Sequence, residues 1–146
     1  ELNNRHYLKE IESIIVNGDS HYIGIIDIDY FKKVNDSYGH TVGDKIIKSV
    51  ASIIKTNIRS QDYALRIGGE EFAVIIKSDQ ISVACEVLER IRLEVERTVN
   101  KPKVTVSAGI APIKRSIEDS INVADQFLYI AKNAGRNQIR SVPNCC

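Results

Sequence analysis

The sequence predicts an α+β fold: one β-sheet with helices packed largely on one of its faces. Helical and strand periodicities alternate in the order α-β-α-α-β-β-α-β-α-β. A glycine-centred hairpin interrupts the crossover units. The 23 isoleucines among 146 residues suit several buried strands better than a helical bundle. The length is that of about one domain. A content of 43% hydrophobic and 27% charged residues allows one real core and excludes a disordered chain.

The elements follow in order. Residues 3–17 carry Leu8, Ile11, Ile14 and Ile15 near helical spacing, and Asn17-Gly18-Asp19 breaks that helix. His21 to Ile28 reads as a buried strand closed by acids. A short helix at about 30–38 follows, with Asp29 as N-cap and Gly39 as stop. Thr41 caps the next helix, to about 58, with Ile47, Val50, Ala51, Ile54 and Ile58 on its apolar face. Tyr63–Ile67 and Glu71–Ile76 form a hairpin whose Gly68-Gly69 turn can take positive φ. A helix over 81–99 ends before Pro102, and Lys103–Ala111 is a strand. Ser116 to Asp119 resembles a capping box opening a helix that ends at Gly135, and a short strand lies near 138–142.

Several classes are excluded or disfavoured. The longest apolar run, Phe72–Ile76, is far short of the roughly 20 residues of a membrane span. Twenty basic against nineteen acidic residues leave +1, which argues against a broad nucleic-acid face but permits a local cationic pocket. Cys85, Cys145 and Cys146 have no zinc or redox spacing and read as reduced, incidental thiols of a reducing compartment. The chain begins at Glu1 without methionine or signal peptide, as expected of a single domain, 1–146, excised from a longer multidomain protein.

Two clusters carry chemistry. Asp27 and Asp29 stand at i and i+2 at the end of an apolar strand, where alternation puts both on one face. Their oxygens are the ligands Mg²⁺ prefers, and Mg²⁺ commonly bridges to phosphates. The helix start at Tyr30-Phe31-Lys32 offers free N–H groups, and Lys32 offers a charge, to such a phosphate. A cap at Asp29 and a hydrogen-bonded strand end at Asp27 fit the same residues. In Gly68-Gly69-Glu70-Glu71-Phe72, two acids share a glycine turn, where a metal would relieve their repulsion. A solvated hairpin tip fits too.

The stretches DIDYFKKVNDSYGHTVGD, RIGGEEF, VTVSAGIA and ADQFLYIAKNAGRN, in this order, resemble the GGDEF family of diguanylate cyclases, with the signature written GGEEF. The resemblance runs from Leu2-Asn3-Asn4-Arg5, like the family's L-x-N-R, to Gly135-Arg136-Asn137. It implies a nucleotidyl-cyclase or polymerase palm-like fold, with a central, mostly antiparallel sheet flanked by helices. It implies one GTP per chain, and two chains facing each other to make cyclic di-GMP and two pyrophosphates with Mg²⁺ or Mn²⁺.

Carried over residue by residue, Asp27, the Ile28 carbonyl, Glu70 and Glu71 are the expected metal ligands. Glu70 is linked to 3′-hydroxyl deprotonation, and Glu70 and Lys32 are the expected catalytic residues. Asn35 and Asp44 resemble the guanine readers, a carboxylate suiting N1–H and N2–H₂ and an amide O6 and N3. Thr41 and Asp44 also read as a capping box. His40 lines the nucleoside pocket or serves only as a helix-entry histidine. Tyr30, Phe31, Lys32, Lys132 and Arg136 are expected at the phosphates, although Lys132 and Arg136 also suit a helix C-terminus.

Arg59-Ser60-Gln61-Asp62, nine residues before Gly68, matches the family's RxxD inhibitory site for cyclic di-GMP, with Arg90 as its second arginine. A surface ion pair is the plain alternative. The family's leading D-x-L-T is absent, and Ala108 replaces a larger aliphatic residue. The expected protein is a cytoplasmic homodimeric enzyme, or the cytoplasmic output of a membrane sensor. It is expected to have no nucleic-acid partner and no membrane contact of its own. The alternative is a catalytically silent receptor of GTP or cyclic di-GMP.

Overall fold

A computed structural model describes residues 2–15 and 19–142. The elements are α1 (Leu2–Ile15), β1 (His21–Ile28), α2 (Phe31–Tyr38), α3 (His40–Asn57), β2 (Tyr63–Arg66), β3 (Glu71–Lys77), α4 (Ile81–Thr98), β4 (Val106–Pro112), α5 (Ile117–Asn133) and β5 (Ile139–Arg140). This is the predicted order. The sheet runs β2-β3-β1-β4-β5, with β4 and β5 parallel and every other neighbour antiparallel. The expected break at Asn17-Gly18 and the cysteines 145 and 146 lie outside the described residues.

The helices cover both faces of the sheet, not largely one. The reason is in the central strands: Ile25 and Ile26 of β1, and Ile75 and Ile76 of β3, point to opposite sides and are all fully buried. Each such isoleucine contributes roughly 1.5–3 kcal/mol only if something covers it. On one side Ile26, Ile28, Val74 and Ile76 pack under α2, α3 and α4; on the other Ile23, Ile25, Ala73 and Ile75 pack under α1 and α5. Gly109 of β4 sets the closeness of the second layer. A Cβ there would stand 2.0 Å from the Ala124 carbonyl oxygen and 2.4 Å from the Leu128 nitrogen, so only glycine lets the α5 backbone lie on the sheet.

Several local expectations are corrected. Ile14 is 65% exposed, while Leu8, Ile11 and Ile15 face the core, because the stripe follows steps of three and four. Asp29 does not cap α2: Tyr30 holds the N-cap position at φ 55° with no side-chain cap. Thr41 does not cap α3, which opens at His40 behind Gly39, again without a side-chain cap. Ser116 does cap α5, accepting from the Asp119 N–H at 3.1 Å. Lys103 bridges to Asn100 outside the sheet, so β4 starts only at Val106. Cys85, on the buried side of α4, is disulfide-bonded rather than a free thiol. The C-terminal stretch passes it, with Ser141 Oγ 3.7 Å from its sulfur.

Candidate active site

The site begins with strand alternation. Ile23, Ile25 and Asp27 form one row of β1, so the carboxylate continues an apolar row that faces α5. Glu71 sits directly across from Asp27 on β3, in the row of Ala73 and Ile75. Two carboxylates thus stand side by side on the same face at the end of the sheet, an unfavourable cross-strand pair. Asp27 is 5% exposed. Burial pushes its carboxyl above the ordinary range; Lys132 draws it partly back, and Glu70 and Asp29 push it further up. Burial also raises Glu71, helped by Asp27 and Asp125 and opposed by Lys132.

Lys132 answers this charge. Because α5 lies tight on Gly109, its last turn hangs over the row, and Lys132 Nζ reaches Asp27 Oδ2 at 2.5 Å. Asp125 stands seven residues earlier, two turns along the same face; it is exposed, and partial desolvation at the helix surface raises its carboxyl against the pull of Lys132. Sequence reasoning missed Asp125, although that spacing from Lys132 was legible.

Asp29 lies just beyond β1 and has a different role from Asp27. It is 4% exposed, and its oxygens accept from Ser107 Oγ and Thr105 Oγ1, each at 2.7 Å, and from the Asn137 N–H at 3.0 Å. These bonds are why it is not a cap: they tie the entry of α2 to β4 and to the loop after α5. That loop turns through Arg136 and Asn137, both at positive φ. Arg136 lies over the Tyr30 ring, 4.3 Å from its centroid, and Lys33 stands 4.7 Å from the same centroid. Tyr30 and Arg136 therefore stand together at the entry of α2, while Lys132 is held at the end of β1 by Asp27. Phe31 turns its ring into the core, so it can offer a ligand only its backbone, and Lys32 is exposed beside it.

The signature turn differs from expectation. Neither Gly68 nor Gly69 takes positive φ. A Cβ at Gly69 would meet nothing within 4 Å, and one at Gly68 only Glu71 Cβ at 3.8 Å. Neither a positive φ nor close packing requires these glycines; what they provide is open space beside Glu70. Glu70 is bound to β1 through its carbonyl, which accepts the Ile28 N–H at 3.2 Å.

Further along, Asn35 on α2 and Gly43 on α3 are in contact. Among the described residues Asn35 Oδ1 is buried without a hydrogen-bond partner, and a Cβ at Gly43 would lie 2.0 Å from it. An orphaned buried acceptor is unfavourable unless a donor arrives. Asp44 and His40 are exposed on the first turn of α3.

The sequence profile of the family described as "Diguanylate cyclase, GGDEF domain" matches residues 1–138. The chain belongs to this family. Among curated relatives, the probable diguanylate cyclase DgcT of Escherichia coli is 39% identical across 99% of this chain and 35% of its own length. Diguanylate cyclase A of Treponema denticola is 42% identical across 79% of this chain and 33% of its own. The chain spans between a quarter and about a third of the length of such relatives. The crystal structure of the GGDEF domain of DgcB from Caulobacter crescentus, in complex with c-di-GMP, matches with TM-score 0.83 and 34% identity over 94% of this chain and 86% of that one. The active GGEEF domain of a diguanylate cyclase from Vibrio cholerae matches with TM-score 0.85 and 26% identity over 94% of each. The palm-like architecture is thus that of known GGDEF domains.

In this GGDEF domain the acids suit a hard divalent cation by donor chemistry. They are carboxylate oxygens that raise one another's proton affinity, beside glycines that leave space. Among the described residues no three His, Cys, Asp or Glu side chains are grouped to hold a metal alone. That still fits Mg²⁺, which takes one or two carboxylates and completes its shell with water and phosphate.

The RxxD motif is more than a surface ion pair. Arg59 Nε and one terminal nitrogen donate to the two oxygens of Asp62 at 3.0 and 3.1 Å, and the backbone N–H groups of Arg59 and Lys77 also donate to it, each at 3.0 Å. Burial alone would raise the Asp62 carboxyl; Arg59 and these N–H groups outweigh it and hold it below the ordinary range. Arg90 of α4 donates to the Asn57 carbonyl at 3.0 Å, beside the start of this motif.

Proposed function

We propose that the domain is a diguanylate cyclase that condenses two GTP into cyclic di-GMP and two pyrophosphates. It depends on Mg²⁺ or Mn²⁺ and acts as a homodimer with one GTP half-site per chain. The observation that carries this reading is the buried Asp27 beside Glu71 at the sheet end, next to the first turn of α2.

Asp27, the Ile28 carbonyl, Glu70 and Glu71 would hold the divalent ions. When bound, these ions lower the pKa of the 3′-hydroxyl and neutralise charge on the α-phosphate and leaving group. Glu70 accepts the proton of the 3′-hydroxyl. That oxygen forms a bond to the α-phosphorus of the GTP on the facing chain, and the bond from phosphorus to pyrophosphate breaks. The reciprocal step closes the ring. The first N–H groups of α2, at Tyr30 to Lys32, receive phosphate oxygens, with the charges of Lys32, Lys132 and Arg136 around them. Lys132, bonded to Asp27 here, would exchange that bond for the β- and γ-phosphates of bound nucleotide. Asn35 donates from its amide to guanine O6 or N3, and Asp44 accepts from N1–H and N2–H₂. His40 lies at the rim of the nucleoside pocket.

Arg59, Asp62 and Arg90 form the inhibitory site for cyclic di-GMP, a reading supported by their adjacency and by the product complex of the Caulobacter domain. Its use of GTP assigns the domain to the cytoplasm. Among the described residues no helix is long and apolar enough to cross a membrane.

The deciding experiment is a product assay with GTP and Mg²⁺ on a dimerised form. Cyclic di-GMP is expected to appear and Glu70→Ala to abolish it. Absence of product from the parent, with cyclic di-GMP binding lost in Arg59→Ala, would make the domain a receptor instead.

A further inference from the structure

We propose that Arg92 of α4 is a positioning residue for the substrate loop, holding Arg136 in place through the side chain of Asn137. The role of Arg136 at the phosphates rests on the cyclase reading; the strap itself rests on geometry.

Arg136 and Asn137 are consecutive non-glycine residues at φ 63° and 49°. L-residues adopt that backbone unfavourably and keep it only where their surroundings demand it. The helix end accounts for part of this, since the Arg136 N–H donates to the Ala131 carbonyl at 3.0 Å. Asn137 needs more. Its own N–H donates to Asp29 Oδ2 and Ser107 Oγ, each at 3.0 Å. Its side-chain Oδ1 accepts from Arg92 at 2.8 Å, and its Nδ2 donates to Glu96.

Arg92 is itself immobilised. Its Nε donates to both oxygens of Glu89 at 3.1 and 3.0 Å, Glu96 lies 3.7 Å from it, and its side chain is only 13% exposed. A planar, five-donor guanidinium suits this bridge between two carboxylates and an amide. The amide then sets the direction of the preceding residue, whose guanidinium rests on Tyr30 with a 3.3 Å contact to its hydroxyl. None of Arg92, Glu89 or Glu96 is among the residues proposed at the phosphates, so their effect on substrate would be transmitted through the loop.

The test is a double-mutant cycle with an exchange measurement beside it. Arg92→Ala is expected to raise KM for GTP about tenfold with kcat nearly unchanged, and to add nothing in an Arg136→Ala background. Amide hydrogen exchange at Asn137 is expected to quicken at least tenfold while β1 amides keep their protection. Additive KM effects, unchanged exchange at Asn137, or loss of protection throughout the sheet would each overturn the proposal. Asn137→Ala, which leaves α4 intact, must reproduce the result and serves alone if Arg92→Ala does not fold. If the parent makes no product, the cyclase reading fails while exchange still decides the strap.

Discussion

Lys132 Nζ lies 2.5 Å from Asp27 Oδ2, with Glu71 beside the same carboxylate on the next strand. The ammonium stands where a divalent cation and a phosphate would both compete: the first for Asp27, the second for Lys132. Lys132→Ala is therefore expected to tighten Mg²⁺ binding without nucleotide about tenfold, or roughly 1.4 kcal/mol. The same variant should bind GTP more weakly. Calorimetric titration with Mg²⁺ and then with a non-hydrolysable analogue reads both; weaker Mg²⁺ binding would reject the exchange.

The acid pair has a signature in pH. Asp27 and Glu71 hold protons more tightly folded than unfolded, where their ordinary values are 3.8 and 4.5. The native state then binds more protons in the range just above those values, so their contribution falls as pH rises through it. Asp27→Asn is expected to lessen that fall and to abolish turnover. Urea midpoints from pH 4 to 7, with and without Mg²⁺, measure it, and Mg²⁺ should offset the loss in the parent only.

Asp62 has the opposite sign. Its folded value lies below 3.8, so its stabilisation is present above that pH and is lost as pH falls through the depressed value. Arg59→Ala leaves a buried carboxylate with backbone partners alone and is expected to cost about 1–3 kcal/mol at neutral pH. The variant should also show a shallower acid limb and weaker inhibition by cyclic di-GMP. Denaturation curves at pH 3 and 7 check the first claim, and product titration the second.

Gly43→Ala tests the base pocket. Its Cβ would stand 2.0 Å from Asn35 Oδ1 and 3.1 Å from the Phe31 ring. The displaced amide is expected to raise KM for GTP at least tenfold, and guanine discrimination over adenine should fall with it. Competition between GTP and ATP supplies the measurement.

Most of the fold was legible because it rests on periodicity. The isoleucine-rich β1, the stripe of α3, the Ser116 cap and the order of all ten elements are local patterns that a chain carries wherever it is. The motifs DIDYFK, GGEEF and AGRN named the family on the same footing, being read in one dimension. What the strands bury on each face was less legible. Doubly apolar strands demand two helical layers, yet the hairpin order alone suggested one.

Local order along the chain specifies which acids, amides and cations are available, and in which elements. Contacts between distant segments choose their partners. They set Asp27 against Glu71 through strand register, and they brought Lys132 over them through the bare backbone of Gly109. They turned Asp29 from a cap into an anchor for Asn137, 108 residues away. Those choices depend on contacts between distant segments, whose electrostatics and burial exist only once the chain has closed around them.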